Sequence, residues 1–231
     1  MAYIPDKKLL FIHIPKNAGK SIEVGLGMAS SHALNVFGKR SLINRAFTSL
    51  QRKSSNPDAR KHLHGSLDIT LCAQHLTLQE IRLLNLIPEQ DLKTLRIFAV
   101  CRNPWDRALS SFRHFIGVQD LTPVTFESFC ESWYDMPPSD HNTLAHRRRQ
   151  IDFIINERGI PAVQHVLRFE NLASEFSELC RVWNLGDLTL PCIGRQHPSC
   201  GYAEMYTDKS RKLIAERFAE DIEYFNYRFE S

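Results

Sequence analysis

The chain has 231 residues, of which 43% are hydrophobic and 24% charged, and its formal net charge is +3. These values are typical of a globular protein with an apolar core, and the charge is too small to indicate a nucleic-acid-binding protein. No apolar run approaches the roughly 20 residues of a membrane span, and residues 1–8 are too polar for a signal peptide. The six cysteines form no CxxC pair, so we expect reduced thiols and a cytoplasmic protein.

The first motif follows an apolar segment near the start of the chain. Five of the six residues 9–14 are apolar without a helical period, which predicts a buried strand of a parallel sheet. A short turn and a helix follow. Gly19, Lys20 and Ser21 match the end of the phosphate-loop pattern GxxxxGK(S/T), but Ile14 stands in place of its first glycine. The pattern alone leaves open a phosphate loop and an ordinary strand-to-helix turn.

A second strand–turn–helix unit lies near the middle of the chain. Residues 95–101 again form a mostly apolar run, and Asn103 and Pro104 favour a helix N-cap and a first helical position. Arg102 therefore lies at the carboxyl end of a strand, where open α/β sheets bind ligands. Ser110 lies about two helical turns farther on. An arginine and a hydroxyl in this arrangement suit a phosphate group.

The end of this second strand carries a basic residue where a kinase or NTPase more often has an acid that holds magnesium. Here the residue is Arg102, and the first acid after it is Asp106. This arrangement favours an anion bound without a metal. A P-loop kinase that uses ATP and magnesium is one alternative function, and a catalytically silent module that binds a nucleotide or a glycan is another.

A histidine precedes another predicted helix. Thr77 and Glu80 form a capping box that begins this helix, so His75 lies at the mouth of the sheet, next to a helix N-terminus. That position disfavours the imidazolium and lowers the pKa of the ring, and a neutral histidine suits a general base for a hydroxyl. A histidine that only caps or packs is the alternative. The weaker candidates for the base are other histidines, namely His13, His114 and His141.

The remaining segments supply further predicted elements. Strands are expected at residues 68–72 and 163–169, and helices at 126–133, at 173–183 and from Thr207 onward. The basic run 146–149 is expected to begin a helix that ends near Arg158, with Gly159 after it. Seven Lys or Arg and one acid lie between residues 38 and 61, which favours a solvated surface or, alternatively, a groove for an anionic acceptor.

The two motifs together resemble the sulfotransferase family. Residues 14–21, IPKNAGKS, look like its 5′-phosphosulfate loop, and residues 101–112, CRNPWDRALSSF, look like its 3′-phosphate motif. The resemblance is to the Golgi carbohydrate sulfotransferases and their bacterial relatives, and it extends to residues 166–172 and 218–229. It implies an α/β fold of the P-loop-like, three-layer type, with a central parallel sheet flanked by helices in one domain, residues 1–231.

This resemblance also implies an activity. A sulfuryl group would move from 3′-phosphoadenosine 5′-phosphosulfate (PAPS) to an acceptor hydroxyl by in-line displacement, leaving 3′-phosphoadenosine 5′-phosphate (PAP), without a metal. The implied catalytic residues are His75 as base, with Gln74 where the family has glycine, and Lys16 at the leaving 5′-phosphate. The implied cofactor-binding residues are Lys16, Asn17, Ala18, Gly19, Lys20, Ser21, Arg102, Ser110 and Arg195, with His197 as a weaker second to Arg195.

The resemblance further bears on the acceptor and the compartment. The acceptor would be a carbohydrate or a small polar metabolite, and residues 147–150 would lie near it. Neither a nucleic acid nor a membrane span is implied. A luminal Golgi domain that lacks its anchor is the alternative to a cytoplasmic protein.

Overall fold

A mostly parallel sheet forms the centre of the structure. The computed structural model describes residues 2–4, 7–27, 75–118, 125–138, 141–191 and 201–230. In these ranges the strands are β1 (Ala2–Ile4), β2 (Leu9–Ile12), β3 (Arg96–Cys101) and β4 (His165–Arg168), in that order across the sheet. Strands β2, β3 and β4 are parallel, whereas β1 is antiparallel to β2. The sheet confirms the predicted α/β class, and the sequence pattern gives no sign of β1.

Helices flank the sheet and connect its strands. Their bounds are α1 (Gly19–Gly25), α2 (Leu78–Leu83), α3 (Glu89–Leu92), α4 (Pro104–Val118), α5 (Phe126–Ser132), α6 (His141–Arg147), α7 (Leu172–Val182), α8 (Asp208–Arg217) and α9 (Ala219–Tyr224). Three 3₁₀ turns lie at Ile151–Phe153, Phe169–Asn171 and Tyr202–Met205. None of the helices in the described ranges combines the length and the hydropathy that crossing a membrane requires.

Both faces of the sheet are covered, because alternate residues of each strand point to opposite sides. Leu10 of β2 packs in a core cluster that includes Leu78 of α2. Phe11, its neighbour in sequence, packs in a second cluster that includes Ile22 of α1 and Phe176 of α7. Helix layers on the two faces of a sheet make the three-layer architecture that the resemblance implies. A third cluster of mostly aromatic side chains joins α4, α5 and α8.

Two predicted helices are wrong in their extent. The run 146–149 does not begin a helix. His146 and Arg147 belong to the last turn of α6, and residues 148 and 149 follow it. The positive charge of Arg147 at a helix C-terminus is favourable, which fits this placement. The helix predicted from Thr207 is divided at Phe218, where φ is −111° and ψ is 29°. The predicted strand 68–72 lies outside the described residues.

Candidate active site

The carboxyl ends of β2 and β3 lie side by side at one edge of the sheet. The strands pair in parallel, with Ile12 opposite Ala99, so the segments that follow them leave the sheet at the same edge. Ligands of open α/β sheets bind at this edge. We name residues 15–18 the Lys16 loop and residues 102–103 the Arg102 loop.

The Lys16 loop contains two left-handed backbone conformations. The angle φ is 68° at Lys16 and 59° at Ala18, in a region that costs a residue with a β-carbon roughly 1–2 kcal/mol. Asn17, between them, is 1% exposed, and its Nδ2 donates to the Val100 carbonyl and to Oε1 of Gln150, both at 2.7 Å. These hydrogen bonds hold the strained turn against the sheet. Alternating signs of φ point successive N–H groups toward one side, the geometry of an anion-binding nest.

The start of α1 packs directly on His13. A β-carbon at Gly19 would lie 1.8 Å from His13 Nε2, so a side chain at this position would displace the helix or the ring. Lys20 is exposed and Ser21 is buried in the first turn of α1. The structure thus keeps the predicted residues 16–21 in one continuous turn and helix start.

Arg102 joins the two loops. Its Nη1 donates to the Lys16 carbonyl at 2.9 Å, its Nε pairs with Asp106 at 2.7 Å, and its guanidinium lies 4.0 Å from the centre of the Phe169 ring. Ser110 is half-buried on α4, and within the described ranges no hydrogen bond links it to Arg102. The structure therefore brings Lys16 and Arg102 together and places Ser110 separately, along the helix that follows the Arg102 loop.

Positive charge is concentrated at this edge of the sheet. Burial, followed by the charges of Arg102 and Lys20, lowers the pKa of Lys16 from 10.5 to about 8. A lowered lysine pKa means that the cation is disfavoured where it stands. Lys16, Lys20 and Arg102 face one carboxylate, that of Asp106, which pairs with Arg102. Such a cluster suits an anion, and a bound anion would raise the pKa of Lys16 again.

His75 lies directly before the capped start of α2, as the sequence predicts. Thr77 and Glu80 form the expected capping box. The His75 ring is buried, and its Nδ1 lies 2.9 Å from the carbonyl oxygen of His13. A carbonyl only accepts, so Nδ1 carries the hydrogen and Nε2 carries the lone pair. Burial, and not the helix end, is the main cause that lowers the pKa of His75 well below 6.5, with His13 and His146 adding to it.

His75 belongs to a row of histidine rings. In order of contact, the rings are those of His13, His75, His146 and His114, with centroid separations of 4.4, 5.3 and 5.6 Å. At one end of the row, His13 Nδ1 lies 2.9 Å from a carboxylate oxygen of Glu23. Burial first, and the charge of Lys16 in addition, lower the pKa of His114 to about 4 and that of His146 to about 3. The row therefore extends from His75 toward the Lys16 loop, and sequence reasoning assigned His146 only to a basic run.

Sequence reasoning also missed the buried Arg107, and it considered the buried Gln150 only as a neighbour of the acceptor. Gln150 is 0% exposed; its Oε1 accepts from Asn17 Nδ2 and from the Arg102 N–H at 2.9 Å, and its Nε2 donates to the Arg102 carbonyl at 2.8 Å. Arg107 is 3% exposed, and its Nε donates to the Pro15 carbonyl at 3.2 Å. An amide or a guanidinium in a polar sequence is ordinarily assigned to the surface, so only the long-range contacts reveal these residues.

The acceptor contacts that the resemblance implies for residues 147–150 stay a prediction, but these side chains do not all stand free. Arg148 pairs with Glu80 at 2.7 Å, and Arg149 pairs with Asp152 at 2.8 Å. The last residue of the segment is fully buried. The segment instead connects α2, the two loops and the C-terminal helices.

Some predicted residues lie outside the described ranges. They are Arg195, His197 and the basic segment 38–61; of His141 only the backbone is described. Within the described ranges, no group of three or more His, Cys, Asp or Glu side chains is arranged to hold a metal ion.

The fold and the site define an α/β protein with basic side chains at one edge of its sheet, beside a buried histidine whose pKa is lowered. The model of the sulfotransferase family matches residues 1–228. The chain therefore belongs to the sulfotransferase family and is a transferase. Neither a curated protein nor a solved structure shows a significant match to it.

Proposed function

We propose that the protein transfers a sulfuryl group from PAPS to an acceptor hydroxyl and releases PAP. Membership of the sulfotransferase family supports sulfuryl transfer in general. The observation that carries the choice of donor is the contact between Arg102 and the Lys16 loop, which gathers three basic side chains at one edge of the sheet. A donor with phosphates at both the 5′ and the 3′ position matches two adjacent loops that each carry a cation.

The two loops would divide the donor between them. Backbone N–H groups of residues 17–21, the Ser21 hydroxyl and the Lys20 ammonium would hold the phosphosulfate. Arg102 and Ser110, with Arg195 later in the chain, would hold the 3′-phosphate, which ATP lacks. Asp106 pairs with Arg102 at 2.7 Å and fixes the direction of its guanidinium, which supports a role in recognition.

Lys16 would offset the negative charge that develops on the 5′-phosphate as the sulfuryl group leaves. Stabilisation of developing charge by a fixed cation is among the largest contributions to catalysis. With a pKa of about 8, Lys16 is mostly protonated at pH 7, and the negative phosphosulfate would hold its proton more firmly. PAPS supplies an activated sulfuryl group when bound, and no metal is part of the proposal.

His75 would act as the general base. Its Nδ1–H is committed to the His13 carbonyl at 2.9 Å, so Nε2 is the atom that would take the acceptor proton. As this O–H bond breaks, the acceptor oxygen would form its bond to sulfur, and the bond from sulfur to the 5′-phosphate oxygen would break. The low pKa of the free ring keeps it neutral at pH 7, and the nearby anion would raise that pKa at the moment of transfer.

The finer parts of the proposal concern the acceptor, the domain and the compartment. The acceptor is a carbohydrate or a small polar metabolite, and one domain, residues 1–231, carries the activity. A cytoplasmic location is supported by the described cysteines, Cys101, Cys130 and Cys180, which are buried free thiols, as a reducing compartment favours.

Thermal shift with PAP and with ATP–Mg tests the donor. We expect PAP to stabilise the protein and ATP–Mg to have a much smaller effect. Stabilisation by ATP–Mg alone would point to a kinase. Stabilisation by PAP without transfer from labelled PAPS, across a panel of carbohydrate and small-molecule acceptors, would point to a silent binding module.

A further inference from the structure

The side chain of Gln150 lies between the two loops. Three hydrogen bonds, two accepted by Oε1 and one donated by Nε2, connect it to the side chain of Asn17 and to both backbone polar groups of Arg102, at 2.7–2.9 Å. It is 0% exposed, so water does not compete for these bonds. Asn17 Nδ2 also donates to Val100 at 2.7 Å, which carries the connection to the end of β3.

The position of Gln150 is itself fixed from outside the loops. Its backbone N–H donates to Asp221 Oδ2 at 2.8 Å, and the next N–H donates to Asp221 Oδ1 at 2.9 Å. Arg107 reaches the Arg148 carbonyl at 2.9 Å and the Pro15 carbonyl at 3.2 Å. The amide of Gln150 therefore has one orientation, and a displacement of either loop would break hydrogen bonds that the other loop shares.

We propose that Gln150 is a positioning residue that couples the two loops. A nucleotide with both phosphates would then bind more tightly than the separate affinities of the two monophosphates predict. The inference rests on the proposed function, because it assumes that each loop binds one phosphate. Ordering of one loop by its phosphate stabilises the shared amide and thereby the other loop. Coupling of this kind is measurable as a free energy between two binding sites.

The variant Gln150→Met tests the coupling, since methionine keeps the length of the side chain and removes the amide. Calorimetry with PAP, adenosine 3′-phosphate and adenosine 5′-phosphate measures the dissociation constants. We expect the constant for PAP to rise about tenfold and those for the two monophosphates about twofold each. The two monophosphate dissociation constants are multiplied together and divided by the PAP constant. If this quotient is the same in the variant and in wild type, the inference is wrong.

Gln164 provides a matched control at the opposite end of β3. Its Oε1 accepts from the Ile97 N–H at 2.6 Å and its Nε2 donates to the Leu95 carbonyl at 3.4 Å, so it bonds the β3 backbone at the end away from the loops. In Gln164→Met we expect the three dissociation constants to stay within about twofold of wild type. An equal loss of PAP affinity in both variants would show a general loosening of β3 and contradict the coupling.

The variant Gln150→Glu adds a readout that also serves if Gln150→Met does not fold. A protonated carboxyl offers the same acceptor and donor as the amide, whereas a carboxylate offers no donor to the Arg102 carbonyl. We expect the PAP affinity of the variant, relative to wild type, to recover as pH falls from 8 to 5. The charged side chains that contact this segment from other elements, namely Arg107, Asp221, Glu80 and Asp152, are present in both proteins, so the ratio isolates the new carboxyl.

The outcomes separate the inference from the proposed function. Wild-type protein that does not bind PAP would contradict both. Wild-type protein that binds PAP, together with a Gln150→Glu variant whose relative affinity does not change with pH, would contradict the inference alone.

Discussion

The Lys16 loop and the Arg102 loop lie side by side but differ in the strain of their backbones. In the Arg102 loop neither residue has a left-handed conformation; Asn103 Oδ1 accepts from the N–H of Trp105 at 3.1 Å as a local cap, and Gln150 and Glu170 bond its backbone from farther along the chain. The Lys16 loop has left-handed conformations at Lys16 and Ala18, and the hydrogen bonds that hold it come from residues 83 and 133 positions away. Backbone strain persists only where the surroundings impose it, and it concentrates at functional sites. The difference in backbone strain supports the proposal that the Lys16 loop serves the chemistry and the Arg102 loop serves recognition.

The strongest test on the Lys16 side is His75→Ala, because His75 is anchored to the carbonyl that precedes this loop. We expect turnover to fall by about 10³-fold, within the range of general base catalysis, while PAP binding is preserved. Turnover with labelled PAPS and calorimetry with PAP give the two numbers. His114→Ala is the control, with less than about a tenfold loss. Normal transfer by the His75 variant would mean that the base lies elsewhere.

Lys16→Ala removes the cation of the strained loop. Turnover is expected to fall by about 10²–10³-fold, because one stabilising group for the developing charge is lost, and the fold should remain by circular dichroism. Lys20→Ala, at the exposed neighbouring cation, should lose less than about tenfold. Equal losses in the two variants would show that bulk positive charge, and not the position of Lys16, matters.

Arg102→Ala should instead affect recognition. We expect the affinity for PAP to fall by about 10–100-fold, since a hydrogen-bonded charge pair with a phosphate is lost. The affinity for adenosine 5′-phosphate should change much less. Calorimetry with the two nucleotides measures this selectivity, and equal losses for both would contradict the assignment of the 3′-phosphate to the Arg102 loop.

The smallest expected effect is a pH dependence that has opposite signs for binding and for stability. PAP affinity should fall about tenfold between pH 7 and 9, as Lys16 loses its proton near pH 8. In the ligand-free folded protein the pKa of Lys16 is about 8, below the ordinary 10.5. The unfolded chain therefore binds more protons than the folded protein between these two pKa values. Lys16 therefore makes the free energy of unfolding rise with pH in that window.

The variant Lys16→Met separates this contribution from those of other groups. It should bind PAP more weakly at pH 7. Both the fall of PAP affinity with pH and the rise of the free energy of unfolding with pH should be lost relative to wild type. Calorimetry and urea unfolding from pH 7 to 10 measure them. Slopes that are the same in the two proteins would show that another group titrates.

The parts of the structure that local chemistry determines could be predicted from the sequence. The strands that contain Leu10 and Phe98 are apolar runs, and the starts of α2 and α4 have residues that cap helices by themselves. The proximity of Lys16 and Arg102 could likewise be predicted, because neighbouring parallel strands end at the same edge of the sheet.

The remaining features depend on contacts between distant segments. Gln150 lies 133 residues from Asn17 and 48 from Arg102, and no period or motif connects these positions. The run 146–149 was expected to begin a helix because the pattern shows only its charges. In the structure His146 packs against His75 with a centroid distance of 5.3 Å, a neighbour that a single sequence does not reveal.

The carboxylate of Asp221 accepts hydrogen bonds from two successive N–H groups about 70 residues earlier in the chain. During translation, the segment around Gln150 can reach its final conformation only after residue 221 has left the ribosome, although β2 and the Lys16 loop emerge near the beginning. Nascent chains that stop short of this residue would thus contain both proposed phosphate-binding motifs without the hydrogen bonds that align them. Ligand binding then becomes a late event in the life of each new molecule, and PAP retention by stalled chains of defined length would reveal when it occurs.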